Sequence, residues 1–69
     1  MGAFCGENLK KIRENRGLTQ KQLADKLNIA SSTVGMYEQG RRQPDLDTLI
    51  KMGDKLLIST SMLIKTKYR

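Results

Sequence analysis

Residues that favour turns divide this chain into short segments, and this division constrains the fold more than any other feature of the sequence. Gly17, Asn28 and Gly40 each end a short run of mixed apolar and polar residues. Glycine and asparagine most readily adopt the left-handed backbone that ends helices. Within the runs, apolar residues recur at helical intervals, and no segment alternates strictly between apolar and polar. The sequence therefore predicts an all-α domain of short helices.

The first two helices have clear limits in the sequence. The first is expected over residues 7–16, with Leu9 and Ile12 on its apolar side. Thr19 and Gln22 have the spacing of a capping box, in which each side chain bonds the other residue's backbone at a helix start. A second helix is therefore expected from here to Asn28. Its predicted buried residues are Leu23, Ala24 and Leu27.

Three further helices complete the prediction of five. The third is expected from about Ser31 to Gln39, with Ile29, Val34 and Tyr37 facing inward. Pro44 and Asp45 favour the start of a fourth helix. Its predicted apolar face consists of Leu46, Leu49, Ile50, Gly53, Leu56 and Leu57. Within it, Gly53 costs about 1 kcal/mol relative to alanine. Ser59 or Thr60 is expected to cap a fifth short helix that carries Met62, Leu63 and Ile64.

Charge and length narrow the class of partner. The 69 residues leave room for one small domain. Thirteen Lys and Arg residues against seven Asp and Glu give a formal net charge of +6. A basic balance of this size favours a polyanionic partner, such as nucleic acid or an anionic surface.

Other compositional features disfavour several classes of protein. Cys5 is the one cysteine and there is no histidine, so an internal disulfide and the usual zinc sites are excluded. The lack of histidine also disfavours catalysis, and we expect no enzyme activity, cofactor or small-molecule substrate. No apolar run is long enough for a membrane span, and no signal pattern is present. We therefore expect a cytoplasmic protein.

Two of the predicted short helices, joined by a tight turn, lie in the stretch LTQKQLADKLNIASSTVGMYEQGRRQPDLDTL, residues 18–49. This stretch resembles the DNA-binding domain of the Cro/cI-type (XRE-type) helix-turn-helix repressors. The matching features are Thr19-Gln20, Leu23-Ala24, Leu27, Ile29, Val34, Tyr37, Glu38-x-Gly40 and Pro44. The resemblance covers about residues 6–64 and implies a lambda-repressor-like domain. Lys65, Lys67 and Arg69 predict a basic tail over residues 65–69.

The resemblance implies that base contacts come from the outward side of the third helix. Ser31, Ser32, Gly35 and Met36 occupy the corresponding positions. None of them is Arg, Lys, Asn or Gln, which make bidentate contacts with purine bases, so direct readout should be permissive and supplemented by DNA shape. The alternative for Ser31 and Ser32 is helix capping, and for Met36 it is an incidental exposed position.

Phosphate contacts are expected beside this helix. In similar repressors the residue at the position of Gln20 contacts a phosphate, through its side-chain amide and the N–H groups of the helix end. Arg41, Arg42 and Gln43 follow the third helix and should face the adjacent phosphates, with Thr33 a further candidate. The alternative for the two arginines is simple solvation.

The resemblance also implies a structural ion pair between Arg13 and Glu38. The alternative is two solvated charges, which would contribute only about 0–1 kcal/mol. Two positions depart from the family pattern. Ala30 stands where Ser or Thr commonly caps the third helix, so we expect Ser31 to take over the cap, and Leu57 stands where similar proteins often have Gly.

Together these features predict a sequence-specific regulator of transcription that binds double-stranded DNA. The resemblance implies a repressor that binds an inverted-repeat operator as a homodimer, with Ile58, Met62 and Ile64 as candidate interface residues. Three alternatives stay open: the DNA-binding fragment of a larger regulator, an antitoxin or phage or conjugation control protein, and a protein-interaction module on the same fold.

Overall fold

The computed structural model describes residues 3–65, and in this range the chain forms four α-helices, a short 3₁₀ helix and a small antiparallel sheet. In chain order the elements are β1 (Ala3–Phe4), α1 (Gly6–Asn15), α2 (Gln20–Leu27), α3 (Ser31–Glu38), α4 (Leu46–Leu56), the 3₁₀ helix (Thr60–Leu63) and β2 (Ile64–Lys65). The helical prediction is confirmed for α1 to α4. The count of five helices is wrong, because the last segment forms a 3₁₀ turn.

The end of the domain departs from the all-α prediction. β1 and β2 pair in antiparallel fashion, with Ala3 opposite Lys65 and Phe4 opposite Ile64. The N–H of Cys5 also donates to the carbonyl of Leu63 at 2.7 Å. Strands of two residues are too short to show an alternating pattern, and their pairing joins distant parts of the chain. The predicted domain limits stay a prediction, and residues 66–69 of the predicted tail lie outside the described residues.

The predicted start and end of α2 are confirmed. The Thr19 hydroxyl accepts a hydrogen bond from the Gln22 N–H at 3.0 Å, and the Gln22 side chain accepts from the Thr19 N–H at 2.8 Å. Asn28 ends the helix in the left-handed conformation, with φ of 57°. Both features depend on neighbouring residues only, so the sequence contained the information needed to predict them.

Helix α4 has a strong N-terminal cap and an unusual C-terminal one. The carboxylate of Asp45 accepts a hydrogen bond from the Thr48 N–H at 2.8 Å. Hydrogen bonding from the Thr48 side chain, and then from its N–H, lowers the pKa of Asp45 below its usual value. At the other end, Leu57 has φ of 58°, a left-handed conformation that disfavours side chains. Leu57, where the resemblance implies Gly, therefore has the conformation that Gly adopts most readily.

We predict that Leu57→Gly stabilises the protein. A left-handed non-glycine residue costs roughly 1–2 kcal/mol, while Leu57 is 85% exposed and loses little burial on replacement. The expected net gain of about 1 kcal/mol would raise the melting temperature by roughly 4–8 °C. Thermal unfolding followed by circular dichroism measures it. Leu46→Gly, at a helical position of similar exposure, should give no gain; an unchanged or lower Tm for Leu57→Gly would contradict the prediction.

The four α-helices and the 3₁₀ helix all contribute residues to one hydrophobic core. Its buried hydrophobic residues are Leu9, Ile12, Leu23, Ala24, Leu27, Val34, Tyr37, Met52, Leu56 and Leu63. The predicted inward residues of α1 and α2, and Val34 and Tyr37 of α3, are confirmed. Ile29 is half-buried and packs against this core.

The predicted apolar face of α4 is wrong at three positions. Leu46, Ile50 and Leu57 are 70%, 53% and 85% exposed, whereas Met52, which the prediction omitted, is fully buried. Apolar residues cover a wide stripe of this helix, and intervals of three and four residues fit two adjacent rows equally well. Packing against α2 and the 3₁₀ helix decides which row is buried.

Gly53 is buried where α4 meets the segment that follows it. A Cβ at this position would lie 2.9 Å from Cγ2 of Thr60 and 3.1 Å from the carbonyl oxygen of Ile58. Alanine would therefore recover less than the predicted cost of a glycine within the helix, because Thr60 and the Ile58 carbonyl would have to shift to admit a Cβ.

Candidate nucleic-acid interface

Helices α2 and α3 form a compact pair joined by residues 28–30. Leu23, Ala24 and Leu27 of α2 and Val34 and Tyr37 of α3 are buried in the core. The Ile29 N–H donates to the Ala24 carbonyl at 3.0 Å and fixes the turn between them. With its inner side packed in this way, α3 leaves its opposite side open.

The open side of α3 carries the predicted base-contact residues. Ser31 and Ser32 are exposed, and Gly35 and Met36 are half-buried, as is the predicted phosphate contact Thr33. Ala30 is the N-cap residue of α3 and no side chain caps this end. The expectation that Ser31 takes over the cap is therefore wrong, because the helix starts at Ser31 itself. The role of all five residues in binding stays a prediction.

A buried ion pair fixes the end of α3 to α1. Nε of Arg13 donates to Oε2 of Glu38 at 2.6 Å, and Nη2 donates to Oε1 at 3.2 Å. The Arg13 and Glu38 side chains are only 9% and 3% exposed. Nη1 of Arg13 also donates to the Leu18 carbonyl at 2.7 Å. The hydrogen bonding with Glu38 raises the pKa of Arg13 above its usual value, so the guanidinium stays charged.

Gln20 extends this network to the outer side of α3. Its Nε2 donates to Oε1 of Glu38 at 3.0 Å. Its amide atoms lie 3.6–3.9 Å from the point where a side chain on Gly35 would begin. Sequence reasoning missed this contact because it joins residues 18 positions apart. The spacing of single polar residues carries no signal for such a pairing.

Gly6 allows the start of α1 to approach the end of α3 closely. A Cβ on Gly6 would collide with the carbonyl oxygen of Tyr37 and would lie 2.7 Å from that of Glu38. Sequence reasoning did not single out Gly6, because a glycine at a helix start has several ordinary explanations. The contact helps to set the position of α3.

The loop after α3 carries exposed positive charge. Gly40 turns the chain with φ of 76°, and the Arg41 N–H donates to the Met36 carbonyl at 2.9 Å. Arg41, Arg42 and Gln43 are all exposed. The loop is therefore held against the end of α3 while its side chains face solvent. Within residues 3–65, no helix is long and apolar enough to span a membrane.

Comparison with known proteins places this architecture in a family. Residues 9–63 match the HTH_3 helix-turn-helix family. The chain is 45% identical over 60 residues to the SPbeta prophage-derived HTH-type transcriptional regulator YonR of Bacillus subtilis, covering 87% of this chain and 56% of that protein. It is 39% identical over 59 residues to the immunity repressor protein of Bacillus phage phi105, covering 86% and 41%.

Solved structures of transcriptional regulators have the same fold as this chain. The restriction-modification controller protein C.AhdI from Aeromonas hydrophila superposes with a TM-score of 0.80 at 33% identity, covering 84% of this chain and 88% of that one. The biofilm master regulator SinR, solved in complex with DNA, gives 0.78 at 27% identity, covering 84% and 94%. The chain spans about half the length of the first relatives it matches, at 56%, 46% and 51% of them. The chain belongs to the HTH_3 (XRE-type) helix-turn-helix family of transcriptional regulators.

Proposed function

We propose that this chain regulates transcription by binding double-stranded DNA in a sequence-specific manner, with α3 in the major groove. The observation that carries the proposal is the outer side of α3, where Ser31 and Ser32 are exposed, together with the exposed Arg41 and Arg42 of the loop that follows α3. A helix with an open outer side can enter the groove while cationic and N–H groups beside it contact phosphates. A structurally similar protein, SinR, was solved in complex with DNA.

In this proposal the base contacts come from Ser31, Ser32, Gly35 and Met36. Hydroxyl groups can bond several bases, and a methionine can pack on a thymine methyl group. Small side chains on α3 also allow its backbone to approach the groove floor closely. Readout by these four residues alone would therefore be permissive.

Phosphate contacts come from both ends of the helix pair. The first N–H groups of a helix have no partner within it. At the start of α2, Thr19 bonds the Gln22 N–H, which leaves the N–H of Gln20 to face a phosphate. Arg41, Arg42 and Gln43, in the loop after α3, supply further phosphate contacts. Thr33 of α3 is an additional candidate.

We further infer that the protein acts as a repressor and binds an inverted repeat as a homodimer. The similarity to an immunity repressor supports the first part. Exposed apolar residues support the second: of the predicted interface residues, Met62 is 50% exposed and Ile58 and Ile64 are half-buried. The exposed Leu46, Ile50 and Leu57 of the α4 segment enlarge the apolar surface available to a second copy.

Selection from a random duplex library near physiological salt tests the proposal. The expected result is an inverted repeat with half-sites about 10–10.5 bp apart, one helical turn. Enrichment of a single half-site would show DNA binding without the dimer. Absence of any enrichment would contradict the proposed function and would favour a protein-interaction role for the same fold.

We predict that replacing Arg41 and Arg42 by alanine weakens binding to all duplexes alike. Two lost phosphate contacts in each protomer, four in the proposed homodimer, should make the dependence of log affinity on log salt concentration shallower by about 4. In the control, alanine replaces Lys10 and Lys11, which are exposed on α1. This double substitution removes the same amount of positive charge. Fluorescence anisotropy over a salt series measures both. Equal slopes for the two double variants would contradict the prediction and indicate a general electrostatic field.

A further inference from the structure

A small cleft lies at the C-terminal ends of α1, α2 and α4. Its volume is about 220 Å³, and it is lined by Arg16, Leu18, Lys26, Lys55, Leu56 and Leu57. None of these residues belongs to the proposed DNA interface. We propose that the cleft binds an acidic peptide segment of a partner protein, which places one large apolar side chain in the cleft and carboxylates around it. Binding at this cleft is independent of the proposed DNA binding.

The charges around the cleft are all positive. Arg16 follows α1 as its C-cap residue, and Lys26 and Lys55 lie in the last turns of α2 and α4. The six lining residues include no Asp or Glu. Within residues 3–65, none of the three cations forms an ion pair. Their charge is therefore available to an anion from outside the domain.

The helix ends account for only part of this positive charge. The C-terminal end of a helix carries about half a negative charge, and a basic residue near it is stabilising. Three such ends provide roughly one and a half negative charges against the three positive ones. The cleft therefore keeps an excess of positive charge that stabilisation of the helices does not use.

Hydrogen bonds hold one of the three cations in place. Nε and Nη2 of Arg16 donate to the carbonyl oxygen of Leu56 at 3.1 and 2.8 Å. This acceptor is neutral, so the guanidinium is fixed while its charge stays uncompensated. A cation that is already ordered loses less conformational entropy when it binds a carboxylate.

The apolar residues and the size of the cleft select the ligand. Leu56 belongs to the hydrophobic core, Leu18 packs against that core, and Leu57 is 85% exposed. A phosphate backbone would gain nothing from three leucines. Small-molecule sites have volumes of about 300–1,000 Å³, so this cleft is better matched to a single apolar side chain. Cations at three helix ends require more than one anionic group, and a peptide with acidic residues on both sides of an apolar one provides them.

Two peptides test the proposal by fluorescence anisotropy. The first is a fluorescein-labelled peptide with one leucine between two runs of three glutamates, and in the second serine replaces the leucine. We expect the protein to bind the leucine peptide, and to bind the serine peptide about fivefold more weakly because the apolar contact is lost. Equal affinity for the two peptides would overturn the proposal, since it would show a general attraction for anions.

A double variant tests the role of the cations. Replacing Lys26 and Lys55 by alanine removes two exposed charges, and should weaken binding of the leucine peptide by about fivefold. As a matched control, alanine at Lys10 and Lys11 removes the same charge from an exposed part of α1. An equal loss in the two double variants, or no binding of the leucine peptide to the wild-type protein, would overturn the proposal. Circular dichroism melts verify that both variants are folded.

An NMR titration of the isotope-labelled wild-type protein locates the bound peptide. The largest changes in backbone amide shifts are expected at Leu18, Lys26 and Leu57, which line the cleft. The opposite result has its largest changes at Ser32 and Arg41. That pattern would place the peptide on the proposed DNA interface as a mimic of phosphates, and would overturn the assignment to the cleft.

Discussion

Replacing Glu38 by alanine will lower the free energy of unfolding by about 3–5 kcal/mol, because it strands the charge of Arg13 in a buried position. Nε and Nη2 of Arg13 both lose their acceptor, and at 9% exposure the guanidinium cannot recover those bonds from water. A loss of this size corresponds to a fall in Tm of about 12 °C or more for a domain of this length. Chemical denaturation and thermal unfolding of the same samples measure it.

Glu14 provides a matched control for this experiment. Its carboxylate lies 4.0 Å from Nη2 of Arg13, but its side chain is 56% exposed. Glu14→Ala makes the same change in charge, and we expect a loss of no more than about 1 kcal/mol. Removing both charges of the buried pair, as Arg13→Met with Glu38→Leu, should restore much of the stability lost in Glu38→Ala. A loss in Glu38→Ala no larger than that in Glu14→Ala would refute the structural role of the pair.

Gly6→Ala is expected to be the second strongly destabilising change, at about 3 kcal/mol. The added Cβ collides with backbone carbonyl oxygens of Tyr37 and Glu38. Backbone atoms cannot move aside as a flexible side chain can, so α1 must shift away from α3. Because this contact helps to set the position of α3, we also expect weaker duplex binding by the molecules that remain folded. Urea denaturation gives the free energy, and anisotropy gives the affinity.

The control for Gly6→Ala is the same substitution at Gly35. A Cβ there meets the Gln20 amide at no less than 3.6 Å, which is ordinary contact. Alanine is also the better helix former, by about 1 kcal/mol. Gly35→Ala should therefore stabilise the protein, so the two variants differ in sign. Equal effects of the two substitutions would show that the collision at Gly6 is relieved at little cost.

The local part of the fold was predictable from the sequence. The caps at Thr19 and Asp45 and the left-handed turn at Asn28 depend on residues within a few positions of each other. The helical intervals of Leu23, Leu27 and Val34 likewise predicted which residues are buried. Such features follow from hydrogen-bond reach and helix geometry alone.

The long-range part was not predictable in the same way. Which row of α4 is buried depends on α2 and the 3₁₀ helix, which both pack against it. The helical intervals therefore missed Met52 and placed Ile50 wrongly. The pairing of Ala3 with Lys65 leaves no periodic signal in strands of two residues. At the candidate site, the resemblance supplied the pairing of Arg13 with Glu38, but the bond from Gln20 to Glu38 needed the relative placement of two helices.

The pairing of β1 with β2 has a consequence for the order in which the protein folds. It joins parts of the chain near its two ends, so it closes the longest loop in the domain, whereas α2 and α3 are separated by residues 28–30 only. Loop closure over a long separation is slow and entropically costly. We therefore expect the α2 and α3 pair to form early and the strands to join last. In this last step we expect Phe4, whose ring lies 6.2 Å from that of Tyr37, to pack against the end of α3.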